Sequence, residues 1–196
     1  MVRIASRSRV DQRELGQIAD ERMRGTLEDL FSITRDGQAK SLNHSIVKSL
    51  NGKMRVTVRN LQRTIAVNVA DLEKFANRAV CCCIKIRREK QTELMRLGDI
   101  FVWLISNRRM SRLHRQFLGQ TGPTDVLTFQ HGEIFISVEM AKRQARVFGN
   151  SLVRELQLYI VHGLLHLHGF DDATPAQARK MRRMQEKVLR DCSGAL

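Results

Sequence analysis

The sequence has no Cys-x-x-Cys pair, no run of about 18 apolar residues, and no internal repeat or low-complexity tract. The first absence removes the usual signature of a zinc ribbon, and the second removes a membrane span. The N-terminus has no apolar core of the secretory type, so no secretory signal is expected. Arg3, Ser6, Arg7, Ser8 and Arg9 faintly resemble a transit peptide, but Asp11, Glu14, Asp20 and Glu21 follow at once. A reducing cytoplasm is the expected setting. It suits the four cysteines, of which Cys81, Cys82 and Cys83 are adjacent and read as small apolar filler on a helix.

Acidic residues are in deficit. There are 20 Asp+Glu against 34 Lys+Arg, a net charge of +14. A field of that sign attracts polyanions, and RNA or DNA is the polyanion a basic domain most often meets.

What the chain does have is clear periodicity from Met54 onward. Residues 54–60 alternate apolar and polar, as a half-buried strand does. Helix is expected at about 70–84, strand at 99–106, helix at 108–118, strands at 124–130 and 133–138, and helices at 138–148, 151–168 and 175–191. Asn150 or Ser151 is suited to cap the penultimate helix, and Thr174-Pro175 to open the last one. On that last helix Met181, Met184 and Val188 have core spacing. The expected fold class is α+β (mixed α/β), a small mixed four-stranded sheet with helices packed on it and a zinc site at the C-terminal end of a core helix. Residues 1–53 lack this texture and read as an N-terminal extension, disordered or an over-long start; residues 54–196 read as the zinc-dependent domain.

The informative segment is Val161-His162-Gly163-Leu164-Leu165-His166-Leu167-His168-Gly169-Phe170-Asp171-Asp172. On a helix, residues four apart differ by only about 40° in azimuth, so His162 and His166 project from one face. A metal site open for catalysis needs a third protein ligand. Gly169 provides the means to reach it, since glycine takes the left-handed conformation that ends a helix and turns the chain back. Asp172 then returns over the metal, in the long-motif spacing of zinc hydrolases. Asp171 is the competing carboxylate, and register favours Asp172. His168 faces elsewhere. Zinc peptidases place a general-base glutamate directly after the first histidine. Here that position is Gly163, which argues against a peptidase. Glu155, two turns back, is either a group that orients a ligand or a first-turn acid favoured by the helix dipole.

This run resembles the H-G-x-L-H-L-x-G-[YF]-D-H signature of the bacterial YbeY endoribonucleases. Gly122-Pro-Thr-Asp-Val-Leu-Thr-Phe129, Gly132-Glu-Ile-Phe-Ile-Ser-Val-Glu139 and Arg154-Glu-Leu-Gln-Leu-Tyr-Ile-Val161 are similar to further segments of that family. The resemblance covers roughly 54–192. It implies one zinc ion held by His162, His166 and Asp172, and single-strand-specific RNA cleavage in 3′ maturation of small-subunit rRNA and in ribosome quality control. It implies precursor rRNA and the small ribosomal subunit with its proteins as partners, with no membrane and no small-molecule substrate. No individual catalytic side chain is assigned. Two departures stand out: the third ligand is Asp172 where most members have His, and Leu118 stands where they have an arginine. Arg115 or Arg112, a turn back, is a candidate substitute. The basic groups expected to grip a phosphate backbone are Arg87/Arg88/Lys90, Arg108/Arg109/Arg112/Arg115, Lys142/Arg143/Arg146, and the last helix, although each taken singly is as well read as a solvated face.

Overall fold

The computed structural model describes residues 2–4 and 54–193. In chain order these form β1 (Val2–Ile4), β2 (Arg55–Asn60), α1 (Val69–Ile84), α2 (Glu93–Arg96), β3 (Asp99–Ile105) and α3 (Asn107–Leu118). There follow β4 (Val126–Phe129), β5 (Glu133–Ser137), α4 (Val138–Phe148), α5 (Leu152–Leu167) and α6 (Pro175–Ser193). The periodic elements lie where the sequence places them. The rest of the extension falls outside the described residues.

One mixed sheet has the order β1-β4-β5-β3-β2. β2, β3 and β5 run parallel, and β4 pairs antiparallel with β5. The four expected strands are all present. A fifth, Val2–Ile4, pairs antiparallel with β4 from within the segment assigned to the extension. Its backbone supplies partners for amide and carbonyl groups that would otherwise line an open edge.

Strand alternation divides the interior in two. Ile100, Val102 and Leu104 of β3 face the larger core, together with Val56, Val58, Ile134 and Ile136. Trp103 and Ile105 face the smaller one with Leu127, Phe129 and Phe135. Helices α1, α5 and α6 cover the first face through Phe75, Ala79, Ile160, Leu164, Met181 and Val188. Helix α3 covers the second through Met110, Leu113 and Phe117. Met181 and Val188 are thus core residues, as their spacing implies. At about 1.5–3 kcal/mol for each large apolar side chain fully buried, this two-sided covering is the main stabilisation of the sheet.

Hydroxyl and amide caps fix the helix starts. Asn68, Ser106, Ser137 and Ser151 each accept a hydrogen bond from a backbone amide of the first turn. Ser151, not Asn150, caps α5, and Thr174 Oγ1 accepts from Gln177 N ahead of α6. Helix α2 has four residues, too few for a periodic signal. The cysteine run is not uniformly filler: Cys83 is buried, Cys82 is half-buried and Cys81 is exposed. No helix among the described residues is long and apolar enough to cross a membrane.

Candidate metal centre

Helix α5 packs against β4 and β5, and its last turns bring His162 and His166 out at one end, 7% and 3% exposed. Their Nε2 atoms are 2.9 Å apart and the rings are perpendicular. The helix then stops in a defined way. Gly169 N donates to His166 O and Phe170 N to Leu165 O, with Gly169 at φ +80°. These two bonds are those of a Schellman motif, which needs a left-handed residue just beyond the cap. The turn carries Asp172 back over the helix end. Its carboxylate oxygens lie 3.7 Å from His162 Nε2 and 3.8 Å from His166 Nε2. Asp171 is occupied differently, its Oδ1 accepting from the amide of Asp172. Of the two adjacent carboxylates, Asp172 is the one facing the imidazoles.

The donor set fits a divalent ion. Among the described residues, His162, His166 and Asp172 are the group of three ligand types within 4.8 Å of one another. Ligands about 2.1 Å from a tetrahedral zinc stand about 3.4 Å apart; the three edges here, 2.9, 3.7 and 3.8 Å, bracket that value. Two ring nitrogens 2.9 Å apart also need a proton or a cation between them. His166 Nδ1 is 3.1 Å from Phe170 O, so it donates there and leaves Nε2 with its lone pair directed at the site. Burial pushes the His162 pKa down to about 3, helped by the neighbouring His166 and opposed by a hydrogen bond that the His162 ring donates to the side chain of Gln185. His162 is therefore neutral at physiological pH and available as a ligand. Three protein donors leave a fourth position open.

Gly163 has a structural reason beyond the missing base. A Cβ built there would come within 2.8 Å of Ile134 Cδ1 and Cγ2 on β5. This position faces the sheet, so a glutamate placed here would point into the core and not at the metal. Glu155 is 3% exposed and accepts from Asn150 Nδ2 at 2.6 Å. It serves the start of α5, not a ligand imidazole. His168, fully buried, faces away from the two ligand-type histidines: Nδ1 meets Thr92 Oγ1 at 3.0 Å and Nε2 meets Ile86 O at 2.8 Å.

Those contacts attach the basic segment after α1 to the end of α5. Arg88 Nη2 donates to Gly169 O at 2.6 Å, and its guanidinium lies 4.5 Å over the Phe170 ring. The result is a cleft of about 570 Å³, lined by Arg87, Arg88, Lys90, Lys180, Thr128 and His166 among others. Of the expected basic clusters, the 87–90 group and Lys180 border this cleft, whereas the α3 and α4 groups do not line it. Leu118 is half-buried against the smaller core, where a leucine is suited and a guanidinium is not. Sequence reasoning missed Gln185, a buried polar residue on the same stripe as Met181 and Val188. A polar side chain in an apolar stripe was the available signal.

The family model described as Endoribonuclease YbeY matches residues 57–193. Endoribonuclease YbeY of Pelotomaculum thermopropionicum is 35% identical over 154 residues, 69% of this chain and 95% of the relative. That of Brevibacillus brevis is 36% identical over 118 residues, 48% of this chain and 74% of the relative. That of Frankia casuarinae is 34% identical over 119 residues, and the aligned part spans 50% of this chain but only 59% of the relative. A Thermotoga maritima protein solved in solution is 28% identical, covering 72% of this chain and 89% of its own, with a TM-score of 0.48.

Proposed function

Because this chain belongs to the YbeY endoribonuclease family, we propose that it is a single-strand-specific, metal-dependent endoribonuclease acting in maturation of the 16S rRNA 3′ end and in ribosome quality control. The observation that carries this reading is a three-donor set, His162, His166 and Asp172, of which His166 lines a cleft where Arg87, Arg88, Lys90 and Lys180 outnumber Glu89 and Glu93. One zinc ion is the proposed cofactor, although nickel or cobalt would accept the same donors. When bound, it would supply a Lewis acid at the phosphodiester. Arg87, Arg88, Lys90 and Lys180 would hold the RNA backbone beside it. His166, fixed through Phe170 O, and His162, held by Gln185, would keep the donor atoms aimed. Precursor rRNA, the small ribosomal subunit and its proteins are the proposed partners, in the cytoplasm, with no membrane and no small-molecule substrate.

The decisive experiment incubates the zinc-loaded protein with single-stranded and duplex RNA spanning the 3′ precursor of the small-subunit rRNA. The expected result is cleavage of the single strand, lost on chelation and in His162→Ala and Asp172→Ala. Zinc-loaded, folded protein that binds this RNA without cutting it would overturn the reading. Such an outcome would favour an assembly factor with structural zinc, which Leu118 in place of the family arginine already makes the second reading.

A further inference from the structure

A second cluster of reactive groups lies away from the metal centre, where α1 meets the end of α6. Cys82 on α1 is half-buried and Cys192 in the last turn of α6 is buried, and both are free thiols. Their sulfurs are 3.5 Å apart, with the Cys192 S–H donating to Cys82. They line, together with Cys81, a surface cavity of about 670 Å³ whose wall also carries Arg55, Arg78 and Lys85. A small oxidant therefore has a path to the pair. Cys83 is enclosed in the larger core, where burial pushes its thiol far up and keeps it protonated.

We propose that Cys82 and Cys192 form an oxidation site that closes to an intrachain disulfide on reaction with a hydroperoxide, such as hydrogen peroxide. Cys82 is the more accessible of the two sulfurs, so it meets the peroxide first. As the thiolate it attacks one peroxide oxygen. The O–O bond breaks, Cys82 becomes a sulfenic acid, and the leaving alkoxide or hydroxide takes a proton from water. The Cys192 sulfur then displaces hydroxide from Cys82, and that hydroxide leaves as water with the Cys192 proton. Two thiols have given two electrons to one hydroperoxide, yielding one disulfide, one alcohol or water, and one further water. Cys192 is suited to the second role: burial, and then Cys82, push its pKa up to about 12, so it stays a thiol until its neighbour has reacted. Closure requires the sulfurs to approach from 3.5 Å to about 2.05 Å through side-chain rotation and a small helix movement.

The bond would join residues 110 positions apart and fix α6 to α1. Helix α6 carries Gln185, which holds His162, and Lys180, which borders the basic cleft. Such a cross-link restricts the unfolded chain strongly.

To test this, the reduced full chain is treated with a few equivalents of hydrogen peroxide, quenched with an alkylating reagent and mapped by tandem mass spectrometry. The expected result is a Cys82–Cys192 linked peptide and the loss of two alkylatable thiols. The melting temperature should rise by about 5–10 °C, and dithiothreitol should reverse it. Cys82→Ser and Cys192→Ala should each abolish the shift, while Cys81→Ser retains it, with far-UV circular dichroism showing each variant folded. Should Cys192→Ala fail to fold, Cys82→Ser alone carries the comparison. Sulfinic acid at Cys82 with Cys192 still alkylatable, a bond through Cys81, or linkage between two molecules would each overturn the proposal.

Discussion

Substituting Gly163 by alanine tests whether the close contact between α5 and the sheet leaves no room for a side chain at this position. A Cβ at this position would lie 2.8 Å from Cδ1 and Cγ2 and 3.1 Å from Cγ1 of Ile134. Carbon–carbon contacts are favourable at about 3.5–4.0 Å, so the overlap approaches 1 Å with two of those atoms. Ile134 is fully buried and β-branched, on a strand flanked by β3 and β4, and it has little room to rotate away. Overpacking of this kind costs about 1–3 kcal/mol, and replacing glycine in a helix interior returns about 1 kcal/mol. Gly163→Ala should therefore lose about 0–2 kcal/mol in urea unfolding, although alanine is the better helix former. Ile134→Ala alone leaves a cavity and should lose about 2–5 kcal/mol. It also removes all three overlapping atoms. In the double variant the added methyl has space, so the loss should be at least 1 kcal/mol smaller than the sum of the two single losses. Equilibrium urea denaturation of the four proteins measures this directly. Additivity within about 0.3–0.5 kcal/mol would refute the argument, as would a stabilised Gly163→Ala.

Three further outcomes are expected. Gln185→Leu removes the side-chain partner of His162 without opening the core, and should weaken zinc binding about 10–100-fold in chelator competition while far-UV circular dichroism is unchanged. Arg88→Ala breaks the bond to Gly169 O and the stack on Phe170, and should cost about 1–2 kcal/mol in urea unfolding; it should also reduce the salt dependence of RNA affinity by about one phosphate contact. Burial raises the Asp125 pKa, against its own hydrogen bonds from Thr124 and the Val126 amide and with a smaller push from Glu155. The folded state thus holds this proton more tightly than the unfolded chain, so this group's contribution to stability falls as pH rises from about 4 toward its folded value. Urea unfolding of Asp125→Asn against the unsubstituted protein should show a difference that moves in favour of asparagine over that range and then levels off. A difference that is flat in pH would remove Asp125 as the cause.

What the sequence disclosed was what is local along the chain. The helices and strands from Met54 to the last helix could be read because their periods and caps lie within a few residues of each other. The helix terminator at Gly169 and the return of Asp172 were legible for the same reason. What it did not disclose depends on distant pairs. Gln185 reaches His162 from a different helix. The reason for Gly163 is a side chain on β5, and that position by itself invited a reading about the chemistry of a missing base. The cleft exists because Thr92, His168 and Arg88 attach one loop to one helix end, and no spacing rule registers such a contact. Strand β1 belongs to a segment without period, and its partner β4 lies more than a hundred residues away.

The division of the donor set between a helix and the turn beyond it has a kinetic consequence. The side chains of His162 and His166 are 9% and 1% exposed, held by the core, whereas that of Asp172 is 26% exposed and rests on a turn. An ion entering this centre would meet the carboxylate as the most exposed of the three donors. The rate of metal exchange would follow how often the Gly169–Asp172 turn lifts, while the strength of binding would follow the packing of α5. Speed and affinity would then be set by separate stretches of chain, so a change in the turn could make the centre quick or slow to load and leave the buried imidazoles as they are.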